Sequence, residues 1–195
     1  MSAVAKHEMT VDDFLAWAAQ QPRGPGKFEL IDGKVMQQQS ERVAHARAKL
    51  DMAIALRNAI RANDLPCEAI VDGPMVRISA KKAYQPDGLV HCGSRLPADD
   101  LEVAAPVIVY EVLSPSNATH DHGEKLQGYL AISSVRHYLI VDADEMRIIH
   151  HRRAETTDGG SAWFTRILGR DERMNLDPPG IELAVADVFE QQPSA

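Results

Sequence analysis

Glu111 stands inside the most apolar run of this 195-residue chain, VIVYEVL at 107–113. A run so rich in β-branched and aliphatic residues reads as a strand covered on both faces. A carboxylate there is costly unless a cation or hydrogen-bond donors meet it. Asp87 follows Pro86 at the start of a neighbouring strand candidate, so a second acid falls at the edge of the same expected sheet. Two carboxylates brought together repel unless something positive lies between them. A divalent ion is the economical answer, and an all-oxygen site favours Mg²⁺ or Mn²⁺ over zinc. On the helix expected next, Asp121, Lys125 and Tyr129 recur at i, i+4 and i+8 and share a face. Turned toward the acids, that face makes Lys125 a cation for a phosphate or for an attacking water. Each residue also has a plainer structural reading. Glu111 could lie solvated at a strand end, Pro-Asp-Gly is an ordinary turn sequence, and Asp121 with Lys125 could be a surface ion pair.

These residues depend on the elements that carry them. Residues 1–9 read as a loose tail, and Thr10 as the N-cap of a helix over TVDDFLAWAAQ. The helix should stop before QPRGPG, where proline and glycine crowd together. Asp32-Gly33 joins two extended runs in a type I′ hairpin pattern. A long helix follows over ERVAHARAKLDMAIALRNAIRAN, with Ala44, Leu50, Ile54, Leu56 and Ile60 at roughly helical spacing. Residues 66–80 suggest two short strands around Asp72-Gly73. QPDGLVHC and APVIVYEVLS read as strands, HDHGEKLQGYLAI as a helix and VRHYLIVD as another apolar strand. MRIIHHRR and SAWFTRIL read as a terminal antiparallel hairpin, and residues 154–195 as the C-terminal hairpin stretch that ends in a short helix over AVADVF. His150-His151 with Arg152-Arg153 reads as a solvated stretch of that hairpin. The strand–strand–helix–strand order after a long helix predicts an α/β (α+β) fold, a mixed sheet flanked by helices, in one domain over 1–195.

A composition of 45% hydrophobic and 25% charged residues is that of an ordinary globular domain with a sizeable core. The net charge of −7 lowers the prior on a general nucleic-acid binder. Metal-binding carboxylates add negative charge of their own, and a bound ion inverts the field locally. The start lacks the apolar stretch of a signal peptide, and no run approaches a membrane span. An intracellular, cytoplasmic protein with Cys67 and Cys92 as free thiols is therefore expected.

Taken together, FELIDGKV at 28–35, His45, QPDGLV at 85–90, IVYEVLSPSN at 108–117, DHGEKLQGYL at 121–130 and HYLIVDADEMRIIHH at 137–151 resemble the bacterial Uma-two endonuclease family, a branch of the PD-(D/E)XK nuclease superfamily. The resemblance covers roughly residues 10–153. It implies a restriction-endonuclease-like core with Asp87, Glu111 and Lys125 as catalytic residues. Asp87, Glu111 and a backbone carbonyl near Val112 would be the ligands of Mg²⁺ or Mn²⁺. Two positions after Glu111, where the superfamily often places lysine, stands Leu113, and Lys125 is the matching lysine on the following helix. Glu29, His45, Asp121 and Tyr129 are accessory candidates. The implied partner is nucleic acid, DNA first, cut by a homodimer.

Arg42, Arg47, Lys49, Lys81 and Lys82 are candidate phosphate contacts, with ordinary surface charge as the alternative. A catalytically idle nuclease fold used for binding or regulation is the competing function. Zinc chemistry at His120, Asp121 and His122 ranks low, because adjacent histidines on a helix start point in different directions.

Overall fold

The structure, a computed structural model, describes residues 8–21, 27–38, 40–113 and 121–189, with 121 and 122 described as helical backbone alone. The chain opens with α1 (Val11–Ala19), where Thr10 and Asp13 form a reciprocal capping box. Strands β1 (Phe28–Ile31) and β2 (Lys34–Gln37) pair antiparallel. Asp32 and Gly33 both take positive φ, at 49° and 74°, as a type I′ turn requires. Helix α2 (Val43–Ala62) follows, then β3 (Cys67–Val71), β4 (Val76–Ser79), β5 (Lys82–Tyr84), β6 (Gly88–Cys92) and β7 (Pro106–Val112). Helix α3 (Asp121–Ala131), β8 (His137–Asp142), β9 (Arg147–Glu155), β10 (Ser161–Leu168), β11 (Arg173–Leu176), β12 (Ile181–Ala184) and α4 (Val185–Val188) complete the order.

Two sheets carry the site. The larger is mixed, in the order β10-β9-β8-β7-β6-β3, with β7 and β8 as its parallel pair. The smaller is antiparallel, in the order β2-β1-β5-β4. One face of the large sheet is covered by α2, α4 and the β11–β12 hairpin, in a core that includes Met52, Leu56, Tyr110, Leu139 and Phe189. Its other face meets α3 and the small sheet through Tyr84, Val109, Tyr129, Tyr138 and Ile140. Helix α1 closes the outer side of the small sheet with Val11 and Phe14. Central β7 and β8 are covered on both faces, which is why their sequences read as unbroken apolar runs.

Three expectations need correction. The thiols of Cys67 and Cys92 are not free: they face each other across the β3–β6 ladder, with Cα atoms 3.9 Å apart, and form a disulfide. The buried stripe of α2 runs through Ala48, Lys49, Met52, Ala55, Leu56, Ala59 and Ile60, and leaves Leu50 and Ile54 exposed. The reason is that small alanines let the helix sit close to β3, β6 and β7, so the larger aliphatic spacing did not choose the face. His150 and His151 are buried, not solvated. β9 is an inner strand between β8 and β10, and the His150 ring is held against His137 at 2.9 Å.

Candidate active site

The site forms where the two sheets meet. β6 and β7 run antiparallel with Gly88 opposite Tyr110, so Asp87 lies one step beyond that pair, beside Glu111. Asp87 is buried, not in an exposed turn, and its Oδ2 accepts a hydrogen bond from the Val112 backbone N–H at 2.8 Å. Gly88 is required here: a Cβ on it would lie 2.3 Å from the Tyr110 ring. Glu111 enters from β7, and Lys125 and Tyr129 from one face of α3. The Glu111 Oε1 accepts from Lys125 Nζ at 3.1 Å and from the Tyr129 hydroxyl at 3.0 Å. Glu29 arrives from β1 of the small sheet. Its Oε1 is 3.0 Å from Lys125 Nζ and accepts from the Gln85 N–H at 3.2 Å. Lys125 is thus shared by two buried carboxylates from different sheets.

A second group of charges adjoins Asp87. Lys27 Nζ lies 2.7 Å from Asp87 Oδ1, 2.9 Å from Asp72 Oδ1 and 3.5 Å from Glu41 Oε1. Lys49 Nζ, on the buried face of α2, is 2.5 Å from Glu41, 2.9 Å from Asp72 and 3.9 Å from Asp87. His45 Nε2 stands 3.1 Å from Asp87 Oδ2 but is misaligned for a hydrogen bond. Glu41, His45 and Asp87 each offer a ligand atom within 4.8 Å of the others.

The environment drives the acids apart in proton affinity. Burial would push Asp87 up, but His45 and the Lys27 ammonium outweigh it and hold Asp87 well below the usual carboxylate range. Burial pushes Glu111 up to about 7, and Lys125 beside it offsets this only in part, while the Asp87 and Glu29 charges add to it. Burial, with Glu111 alongside, also keeps the Tyr129 phenol protonated.

The donor set suits a hard divalent ion. Glu29, Glu41, Asp72, Asp87 and Glu111 bring five carboxyl groups against three ammonium groups from Lys27, Lys49 and Lys125, so the site has room for further cationic charge. Carboxylate oxygens are the ligands that Mg²⁺ and Mn²⁺ prefer, whereas the imidazole of His45 suits transition metals and so favours Mn²⁺ of the two.

Of the residues singled out in the sequence, Asp87, Glu111, Lys125, Tyr129, Glu29, His45 and Val112 come together here. The side chains of Asp121 and His122, and all of His120, lie outside the described residues. Among the proposed phosphate contacts, Lys49 reaches the site. Lys81 pairs with Glu8, Lys82 with Glu124 and Asp32, and Arg42 and Arg47 are exposed. Sequence reasoning passed over Lys27, Glu41 and Asp72, which sit in connections of ordinary polar composition. One signal was available: a lysine at 49 on the stripe of Ala48, Met52, Ala55 and Leu56 has to be buried with a partner.

A mixed sheet flanked by helices, with buried acids and a lysine gathered where it meets a smaller sheet, defines a restriction-endonuclease-like protein. The sequence model of the Uma2 family, described as "Putative restriction endonuclease", matches residues 11–186, and the chain belongs to that family. It is also similar to "Uncharacterized protein slr1290" of Synechocystis sp., 24% identical over 184 residues that span 93% of this chain and 92% of the relative. The crystal structure of a "putative nuclease belonging to DUF820" from Anabaena variabilis shares the fold. Its TM-score is 0.68 at 18% identity, over 93% of this chain and 98% of that one. The family places the chain among nucleases.

Proposed function

We propose that this protein is a metal-dependent endonuclease that hydrolyses phosphodiester bonds in DNA, with Asp87, Glu111 and Lys125 as its catalytic residues. The observation that carries this reading is Lys125, buried and shared between Glu29 and Glu111 one strand away from Asp87. Asp87 and Glu111 would hold Mg²⁺ or Mn²⁺, with the Val112 carbonyl as a third ligand. In a strand the N–H and C=O of one residue point the same way, so that carbonyl faces the side on which Asp87 receives the Val112 N–H. When bound, the ion polarises the phosphoryl group and lowers the pKa of water. Lys125 orients the attacking water or neutralises charge developing on the phosphorane. Tyr129 and Glu29 position Glu111 and Lys125 from two sides, and His45 borders Asp87.

The decisive assay incubates the protein with supercoiled plasmid and Mg²⁺ or Mn²⁺. Nicking or linearisation should appear, disappear with EDTA, and be lost in Asp87→Asn and Glu111→Gln. A parent that cuts neither DNA nor RNA, and whose melting temperature ignores Mn²⁺, would establish the idle binding fold instead. This reading includes a homodimer, one site per strand, which light scattering tests. It also includes a cytoplasmic place of action. Among the described residues no helix is long and apolar enough to cross a membrane. The Cys67–Cys92 disulfide weighs against a reducing compartment. Thiol counting on protein from acid-quenched cells decides that point.

A further inference from the structure

Lys27 and Lys49 are placed where a cation would be expected, and their cost shows that they are not surface decoration. Lys49 lies on the apolar stripe of α2 and is buried. Lys27 has a side chain only 14% exposed. Burying an ammonium is unfavourable without partners, and the partners here are all carboxylates: Asp87, Asp72 and Glu41. Asp87 Oδ1 receives Lys27 at 2.7 Å. A hard divalent ion binds a carboxylate oxygen at about 2.0–2.1 Å. An ammonium and such an ion on the same oxygen would repel each other strongly. The ion can therefore occupy this carboxylate fully only when Lys27 leaves it.

A lysine leaving these acids stays buried unless another anion receives it. In a nuclease that anion is the phosphodiester backbone, which lysines bind as point charges. Resting on the nuclease reading above, we propose that Lys27 and Lys49 are strand-binding residues. They pair with Glu41, Asp72 and Asp87 in the empty enzyme and transfer to backbone phosphates when nucleic acid arrives. The carboxylates are thereby released to the cation, so cation and nucleic acid bind with positive coupling. Thermodynamic linkage makes the coupling reciprocal. The empty site then holds divalent ions weakly, and substrate completes it.

The test titrates Mn²⁺ by calorimetry into the parent, Lys27→Met and Lys27→Gln, each with and without a short, fully phosphorothioate DNA duplex that keeps its charge but resists cleavage. Circular dichroism and melting curves select the variants that fold, and Lys49→Met serves as an independent site. The duplex should tighten Mn²⁺ binding to the parent about tenfold or more, within the usual range of coupling. Lys27→Met and Lys27→Gln should bind Mn²⁺ alone more tightly than the parent, with most of the duplex effect gone. Variants that bind Mn²⁺ no more tightly, or a parent indifferent to the duplex, overturn the exchange and leave the metal-nuclease reading standing. A parent that takes no Mn²⁺ even with the duplex overturns both.

Discussion

Glu111 and Lys125 touch each other, yet removing either should have opposite consequences. Glu111→Gln keeps the shape and leaves Lys125 its contact with Glu29 at 3.0 Å. Burial already raises the Glu111 pKa, so the charge that the amide removes is one the metal-free site disfavours. The variant should melt in EDTA near the parent, within about 1 kcal/mol, and should lose the stabilisation by Mn²⁺. Lys125→Met instead leaves Glu29 and Glu111 buried without the ammonium they share. It should cost roughly 3–5 kcal/mol in EDTA, besides most of the turnover. Melts of the three proteins with EDTA and with millimolar Mn²⁺ check the order. A Glu111→Gln protein that melts as low as Lys125→Met would make Glu111 a structural ion-pair partner. At this scale the sequence was informative where an acid interrupts an apolar strand, as Glu111 does. It was silent on Lys27, Glu41 and Asp72, whose polar connections look the same whether the charges are solvated or gathered.

Among the elements, β6 depends on close contact with β7. Gly88→Ala would drive a methyl into the Tyr110 ring, which is itself held by donation from its hydroxyl to the Lys49 carbonyl at 3.0 Å. The ring cannot give way without releasing α2, so a loss of about 1–3 kcal/mol is expected. Weakened Mn²⁺ binding should accompany it, because Asp87 precedes this glycine. Unchanged melting and binding would mean the strand shifts freely. On β8 and β9, His137 Nε2–H donates to the Pro178 carbonyl, which obliges His150 Nε2–H to donate to His137 Nδ1. Burial, the largest cause for both, depresses His137 to about 4 and His150 to about 3. Both are neutral in the fold, while the unfolded chain takes up their protons near pH 6.5. Their contribution is complete above about pH 6.5 and is lost as pH falls toward about 4 and then 3, by up to roughly 1.4 kcal/mol per unit for each. Urea denaturation across pH 7 to 4.5 should show a shallower loss for His150→Gln than for the parent. Parallel curves would remove the pair from the acid limb.

Element by element, sequence legibility followed length and local chemistry. The Asp32-Gly33 hairpin was readable because the turn specifies itself. Asp72 and Gly73 have similar positive φ, 53° and 88°. Even so, β3 joins the large sheet and β4 the small one. Local turn geometry does not determine which partner a strand finds. β5, β11 and β12, of three or four residues each, were too short for a periodicity to register.

The molecule as a whole divides along the line where the sheets meet, and the site lies on that line. Lys27 and Glu29 belong to the small sheet's segment, whereas Asp87, Glu111 and Lys125 belong to the large sheet and its crossover helix. That arrangement has a kinetic side. Lys27 and Asp87 are 60 residues apart in the chain. The large sheet can pair its strands largely through nearer contacts, while the β1–β5 pairing of the small sheet and the join between the sheets must both close long loops before their contacts contribute. Interactions formed after the folding barrier slow unfolding and leave the folding rate alone. Mn²⁺ should therefore lengthen the lifetime of the native state without accelerating refolding. The chain offers one tryptophan on each side of the join: Trp17 against Phe28 by the small sheet, and Trp163 beneath Arg153 on the large one. Stopped-flow fluorescence of the two single-tryptophan variants would time each half separately. If Mn²⁺ hastens refolding at both, the site is assembled early. If it only delays unfolding, the catalytic centre is the last part of the protein to form and the first to come apart.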